Sequence, residues 1–168
     1  MRRIWERLFI PGVLLGCIAL LLLGMSRYYR AAYPIRYQEA VEREAEVSGL
    51  DPALVYAVIR SESGFSPAAR SSVDARGLMQ LTPDTLQWVR YRLGEEGAAS
   101  SDLLYDPGEN IRYGCANLGL LLREFGGEAE ALAAYHAGRG SVSRWLEDSR
   151  YSGDGESLDV IPYGDTNR

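Results

Sequence analysis

The chain has 168 residues, 46% hydrophobic and 24% charged, with 18 Gly and 7 Pro: enough for one domain with a proper core, too few for two once an anchor is subtracted, and neither disordered nor collagen-like in composition. Residues 1–33 carry five Arg against Glu6, a net of +4, so residues 34–168 hold 13 Arg against 22 acids, a net of −9. An acidic body without a basic stripe excludes nucleic acid as the expected partner, because that affinity comes from cations neutralising phosphates.

From Leu8 to Met25 no charge interrupts the chain, which at about 1.5 Å per residue is the lower limit for crossing a bilayer core of about 30 Å. Residues 1–33 therefore read as a cytoplasmic tail and an uncleaved membrane anchor. A cleaved signal peptide is the alternative, but it needs a shorter apolar run and a small-residue cleavage site, whereas Leu20 to Leu23 continue into Gly24 and SRYYR. Leu14-Leu15-Gly16-Cys17 is similar to a lipoprotein signal, yet the apolar run continues past Cys17 to Leu23. Arg2, Arg3 and Arg7 before the helix and Arg27 and Arg30 after it favour a cytoplasmic N-terminus only weakly. Tyr28, Tyr29 and Tyr33 suit an interfacial belt, and Tyr33-Pro34 opens the soluble part, residues 34–168. Cys115 is the only thiol of that part, so it has no disulfide partner there; its spacing from Ile111 and Leu118 makes it a core residue. One His and one such Cys exclude a His/Cys metal cluster.

The body reads as a series of helices, and the fold class is all-α. Ile35 to Val47 is amphipathic and stops at Gly49. Asp51-Pro52 supplies an N-cap and a first-turn proline for a helix to about Glu62, stopped by Gly64. Thr82-Pro83 repeats the signal for a helix to Leu93, with Leu86, Val89 and Leu93 on one face. Asp106-Pro107 opens a long helix in which Ile111, Cys115, Leu118, Leu122 and Phe125 keep helical spacing up to Gly126-Gly127. Shorter helices follow at Glu128 to Ala137 and about Ser141 to Glu147. Only Val160-Ile161 looks locally extended, and the loop 94–105 and the polar stretch 148–158 read as flexible.

Leu54, Val58 and Glu62 are spaced i, i+4, i+8, so one carboxylate shares an apolar stripe at a helix C-terminus. Desolvation and the negative end of the helix dipole both favour its protonated form, which general acid catalysis needs. The same spacing also fits an edge glutamate that reaches solvent.

The run ESGF at 62–65, Ser71, GLMQLTPDT at 77–85, DPGENI at 106–111, AAYHAGRG at 133–140 and IPYGDT at 161–166 resembles the lytic transglycosylase family in order and spacing, and in particular its small membrane-anchored bacterial members. The resemblance implies a lysozyme-like helical domain over residues 34–168 that cuts peptidoglycan. It makes Glu62 the catalytic acid and base, Ser71 a residue that positions the sugar N-acetyl group, and Met79 and Gln80 groove-lining residues. Tyr135 and His136 fall on the AYNAG motif, where the tyrosine hydroxyl comes within reach of the carboxylate. Taken without the resemblance, Met79 also reads as a core methionine, Gln80 as a helix-cap amide and Tyr135 as a core aromatic. The implied reaction cleaves the β-1,4 bond between N-acetylmuramic acid and N-acetylglucosamine without water, leaving a 1,6-anhydro end, and needs no metal or organic cofactor. A peptidoglycan partner places the body on the extracytoplasmic side.

Four positions depart from the family pattern. His136 replaces the motif's Asn and adds a side chain that titrates near neutral pH. Arg139 replaces a Pro, between Gly138 and Gly140. Asp74 stands where Gly is common, a position suited to positive φ. The sequence ends at Arg168, where the pattern continues with a Tyr-Val pair and a terminal helix. Two rival readings follow: a muramidase of the same fold using Asp74 as a second carboxylate, and a non-catalytic glycan-binding module.

Overall fold

A computed structural model describes residues 2–32 and 35–162, with side chains described for 11–29 and 35–162. The expectations on Tyr33-Pro34 and on the last four residues of IPYGDT lie outside the described residues. The chain divides into two compact units, residues 1–36 and 37–168. The first consists of α1 (Arg2–Ala32). Within it Pro11–Tyr29, 19 residues with a mean hydropathy of 1.6, is long and apolar enough to cross a membrane.

The second unit is all-helical, with α2 (Gln38–Ser48), α3 (Pro52–Ser63), α4 (Pro83–Arg92), a 3-10 turn (Ser101–Tyr105), α5 (Pro107–Phe125), α6 (Glu128–Ala137) and α7 (Arg139–Leu146). The three Asx/Thr-Pro signals act as their chemistry requires. Asp51 accepts from Ala53 N, Thr82 from Thr85 N and Asp106 from Glu109 N, each leading into a helix that starts with proline. α2 begins at Gln38 and not at Ile35, because Tyr37 sits in the left-handed region (φ 60°, ψ 30°) and breaks the helix path. Leu93 is another correction. α4 ends one residue before it, and the side chain is 44% exposed while Leu86 and Val89 are fully buried.

Helix α5 is the axis of this unit. Its buried face, with Ile111, Cys115, Leu118 and Leu121, joins Val41 and Ala45 of α2, Val55, Val58 and Ile59 of α3, Ala131 and Ala134 of α6 and Val142 of α7 in one apolar cluster. A second cluster of Leu81, Leu86, Val89, Leu104 and Tyr113 lies on the side of α4 and the 3-10 turn. The loop expected at 94–105 therefore contributes a fully buried leucine from a turn of its own. Tyr135 packs against both clusters and so stands at the seam between them. Burial drives Cys115 to about 12, which keeps the thiol protonated and inert.

Among the described residues there is no strand. The extended contacts are two isolated bridges, Arg70 with Arg76 and Arg76 with Leu81, rather than anything at Val160-Ile161. The polar stretch 148–158 is irregular but tied down. Asp154 accepts from the main-chain N–H of Glu156 and Ser157 at 2.8 Å each, and Leu158 N–H donates to Glu130 at 2.9 Å.

Candidate active site

Glu62 lies one residue before the end of α3, which Gly64 closes with φ 57° and an N–H to Arg60 O. The helix end is pinned: Ser63 Oγ donates to Leu78 O at 2.7 Å, tying α3 to the segment 64–82. The stripe expected from spacing forms one wall of a pocket of about 500 Å³, in which Leu54, Val58 and Glu62 face Leu132, Tyr135 and His136 of α6. The carboxylate is 23% exposed, with His136 Nδ1 at 4.0 Å from its Oε1. Among the described residues no group donates a hydrogen bond to it at hydrogen-bonding distance. Burial raises the Glu62 carboxyl above its ordinary value, against a smaller lowering by His136. A half-sheltered carboxyl with raised proton affinity, and an imidazole rather than a fixed cation beside it, can give up a proton and take it back.

Tyr135 closes the other side of this pocket. Its hydroxyl donates to Met79 O at 2.7 Å, while burial and the nearby Glu62 push its own ionisation well above the ordinary phenol range. The ring is thus a fixed, neutral wall.

The remaining expected residues are placed differently. Met79 is fully buried, so its side chain does not line the groove. Gly114 of α5 makes room for it, since a Cβ at Gly114 would collide with the Met79 sulfur. What Met79 offers the site is its carbonyl, for Tyr135. Gln80 adopts φ 48°, and its amide nitrogen donates to Gly77 O at 2.9 Å and Ala69 O at 3.3 Å, bracing the segment from inside. Ser71 is a turn residue whose Oγ accepts from Val73 N and Ala75 N at 3.3 and 3.1 Å. It is not among the residues lining the Glu62 pocket.

Asp74 has the expected positive φ, 61°. It bonds to Arg76 Nη2 at 3.0 Å and Arg70 Nε at 2.6 Å, and the Arg76 hydrogen bond in particular holds its carboxyl below the usual range. Arg76 continues to Ser101 at 2.9 Å and Asp102 at 3.1 Å. This acid is locked into a loop clamp, outside the Glu62 pocket.

One residue that organises the site carries no role in the sequence reading. Asn110, fully buried, accepts from Met79 N at 2.7 Å and donates to Arg76 O at 2.9 Å and Leu104 O at 2.8 Å. The signal was available: an asparagine beside Ile111 on the core-facing stripe of an apolar helix needs partners to be buried.

Residues 39–157 match the family described as the Transglycosylase SLT domain, and the chain belongs to that family. It is 31% identical over 136 residues to the soluble lytic murein transglycosylase of Escherichia coli (strain K12), covering 80% of this chain and 21% of that protein. With membrane-bound lytic murein transglycosylase C of Edwardsiella ictaluri (strain 93-146) the identity is 33% over 135 residues, covering 75% and 36%. Among solved structures, an inactive Glu-to-Gln mutant of the lytic transglycosylase Slt from Pseudomonas aeruginosa matches with a TM-score of 0.66 at 38% identity, over 73% of this chain and 20% of that one. The 70 kDa soluble lytic transglycosylase of Escherichia coli matches with a TM-score of 0.67 at 29% identity, over 76% and 21%. The helical unit is therefore the lysozyme-like fold of this family, and the chain spans from about a fifth to just over a third of these curated relatives.

Proposed function

We propose that the chain is a peptidoglycan lytic transglycosylase in which Glu62 acts alone, first as acid and then as base. The observation that carries this reading is the state of Glu62: a carboxyl lining a pocket of about 500 Å³, with no Arg paired to it among the described residues and its proton affinity raised by burial. Glu62 protonates the glycosidic oxygen between N-acetylmuramic acid and N-acetylglucosamine, and the substrate's acetamido oxygen stabilises the anomeric carbon. The ionised Glu62 then removes the proton of the C6 hydroxyl, whose oxygen closes onto C1 as a 1,6-anhydro sugar. The bond to the leaving sugar breaks, the new C6–O–C1 bond forms, and Glu62 ends protonated as it began. The Pseudomonas aeruginosa relative is inactive as a Glu-to-Gln mutant, which supports an essential glutamate. Buried and polar groups elsewhere hold the pocket: Tyr135 fixes the wall and Asn110 fixes Met79 behind it.

A muramidase needs a second carboxylate across the cleft. Asp74, the acid considered for that part, is neutralised by Arg70 and Arg76 outside the pocket, which favours the lyase. We also propose that α1 anchors the protein to the membrane with the helical domain on the cell-wall side, where the substrate is.

Mass analysis of digested peptidoglycan decides the reaction: anhydro-ended fragments support it, and reducing ends make the enzyme a hydrolase. Glu62→Gln should cut turnover by at least about 10²–10⁴, the usual range for a general acid, with glycan binding retained. Unchanged turnover in that variant would make the domain's chemistry lie elsewhere, and no turnover in the wild type would leave a binding module.

A further inference from the structure

Two neighbouring carbonyls of one short hairpin hold both sides of the Glu62 pocket. Leu78 O accepts at 2.7 Å from Oγ of Ser63, the residue after Glu62, and Met79 O accepts at 2.7 Å from the Tyr135 hydroxyl. The hairpin is closed at its base by Arg76 and Leu81, whose main-chain groups exchange two hydrogen bonds, at 2.9 and 3.1 Å. Inside it Gly77 and Gln80 both have positive φ, 75° and 48°. A left-handed glutamine persists only where its surroundings over-determine the backbone, so the base of this hairpin has to be held from outside.

The Arg76 side chain supplies that hold. It is 11% exposed. Its Nε and Nη2 donate to the two oxygens of Asp74 at 3.0 Å each, and its Nη1 donates to Ser101 Oγ at 2.9 Å and Asp102 Oδ1 at 3.1 Å. The guanidinium also lies 5.5 Å from the centre of the Tyr105 ring. A two-point contact between arginine and carboxylate fixes direction as well as distance, which the point charge of a lysine does not. Asp102 is 82% exposed, and a pair that open to water contributes little, so Asp74 is the partner that counts. Asp74 holds its carboxylate there at φ 61°, where glycine would be unstrained. A sheltered ion pair recovers in attraction little more than it loses in hydration, so net stability does not account for the arrangement. Orientation of the hairpin does.

We infer that the Asp74–Arg76 pair is a positioning device for the active site: it orients the hairpin 76–81 and, through the carbonyls of Leu78 and Met79, sets the Glu62 end of α3 against Tyr135. Neither residue lines the Glu62 pocket, so both act through others. The effect on turnover rests on the transglycosylase reading, whereas the effect on Glu62 is read without any reaction.

The test uses the full chain in detergent micelles with Asp74→Gly, which removes the carboxylate and relaxes the backbone, and Arg76→Lys, which keeps the charge and loses the fork. Two quantities are measured: kcat and KM on soluble, uncrosslinked peptidoglycan strands, and the titration of the Glu62 side chain by carbon-13 NMR, its signal assigned by disappearance in Glu62→Gln. Both variants should lose about ten- to a hundredfold in kcat, the scale of a misplacement of about 1 Å, with KM within about twofold. Glu62 should titrate closer to the ordinary 4.5 than in the parent, as its end of α3 opens to water. Asp74→Asn tolerates positive φ and still accepts from Arg76, so it should stand between Asp74→Gly and the parent on both measures, and it carries the test if the other two do not fold. Unchanged kcat with unchanged Glu62 titration, a raised KM at constant kcat, or a lower kcat with Glu62 titrating as in the parent overturns the positioning role. If the wild type releases no anhydro-ended fragments, the transglycosylase reading has failed and the Glu62 titration alone decides the role of the pair.

Discussion

Tyr135 on α6 and Met79 in the segment after α3, 56 residues apart in sequence, are joined by a 2.7 Å hydrogen bond from the phenol to the main-chain oxygen. Met79 is fully buried and the tyrosine ring faces the Glu62 pocket, so one bond passes the order of the core to the wall of the site. Tyr135→Phe keeps the ring and leaves the Met79 carbonyl unpaired. It should cost about 1–3 kcal/mol in denaturant unfolding, and about tenfold in turnover of peptidoglycan as the wall loosens. Full stability in the phenylalanine variant would remove the tyrosine from this role.

Asn110 holds Met79 N, Arg76 O and Leu104 O at once. Asn110→Ala leaves Met79 N and Leu104 O without a partner, while Arg76 O keeps the Leu81 N–H at 3.1 Å; at about 1–3 kcal/mol for each buried unpaired group, a loss of at least about 2 kcal/mol is expected by chemical denaturation. A loss under about 1 kcal/mol would mean that the segment 64–82 does not depend on this residue.

The stability contribution of Glu62 has a definite sign. Burial raises its folded-state pKa above the ordinary 4.5. Below that ordinary value both folded and unfolded chains hold the proton. As pH climbs through the raised folded-state pKa the carboxyl must ionise in its pocket, and stability falls. Glu62→Gln should therefore melt higher than the wild type near pH 7, and the difference should close by about pH 4. A Tm gap that is the same at both pH values, or reversed, contradicts the burial of this carboxyl.

His136 stands 4.0 Å from the Glu62 oxygen and is itself 67% exposed. Once protonated it favours the Glu62 carboxylate over the acid that the proposed first step needs, which is the direction of its effect on the glutamate. The wild type should lose activity more steeply toward low pH than His136→Asn. Superimposable profiles for the two proteins would show that the imidazole charge does not reach the reaction.

Elements with local causes were legible in the sequence. Asp51, Thr82 and Asp106 each cap within three residues of themselves, and the Leu54, Val58, Glu62 stripe needs only the helical period to be seen. The segment 64–82 was not legible in the same way. Gln80 holds a left-handed φ because its amide finds Gly77 and Ala69. Met79 points inward because α5 offers Gly114 opposite it. Neither cause has a period, so the family resemblance implied a groove for the Met79 side chain while the packing buries it. For Asn110 the stripe signalled a buried amide, but its partners, 31 and 34 residues upstream in the segment it clamps, had no such signal.

The long reach of those bonds sets an order of assembly. Glu62 leaves the ribosome first, and Asn110 and then Tyr135 follow; at roughly 5–20 residues per second the tyrosine trails the glutamate by about 4–15 s. Until both arrive, the segment 64–82 lacks its clamp and the carboxyl is an ordinary solvated glutamate at the end of a short helix. The Glu62 pocket thus cannot be complete until α6 has emerged, and a chain interrupted anywhere before α6 lacks the Leu132, Tyr135 and His136 wall.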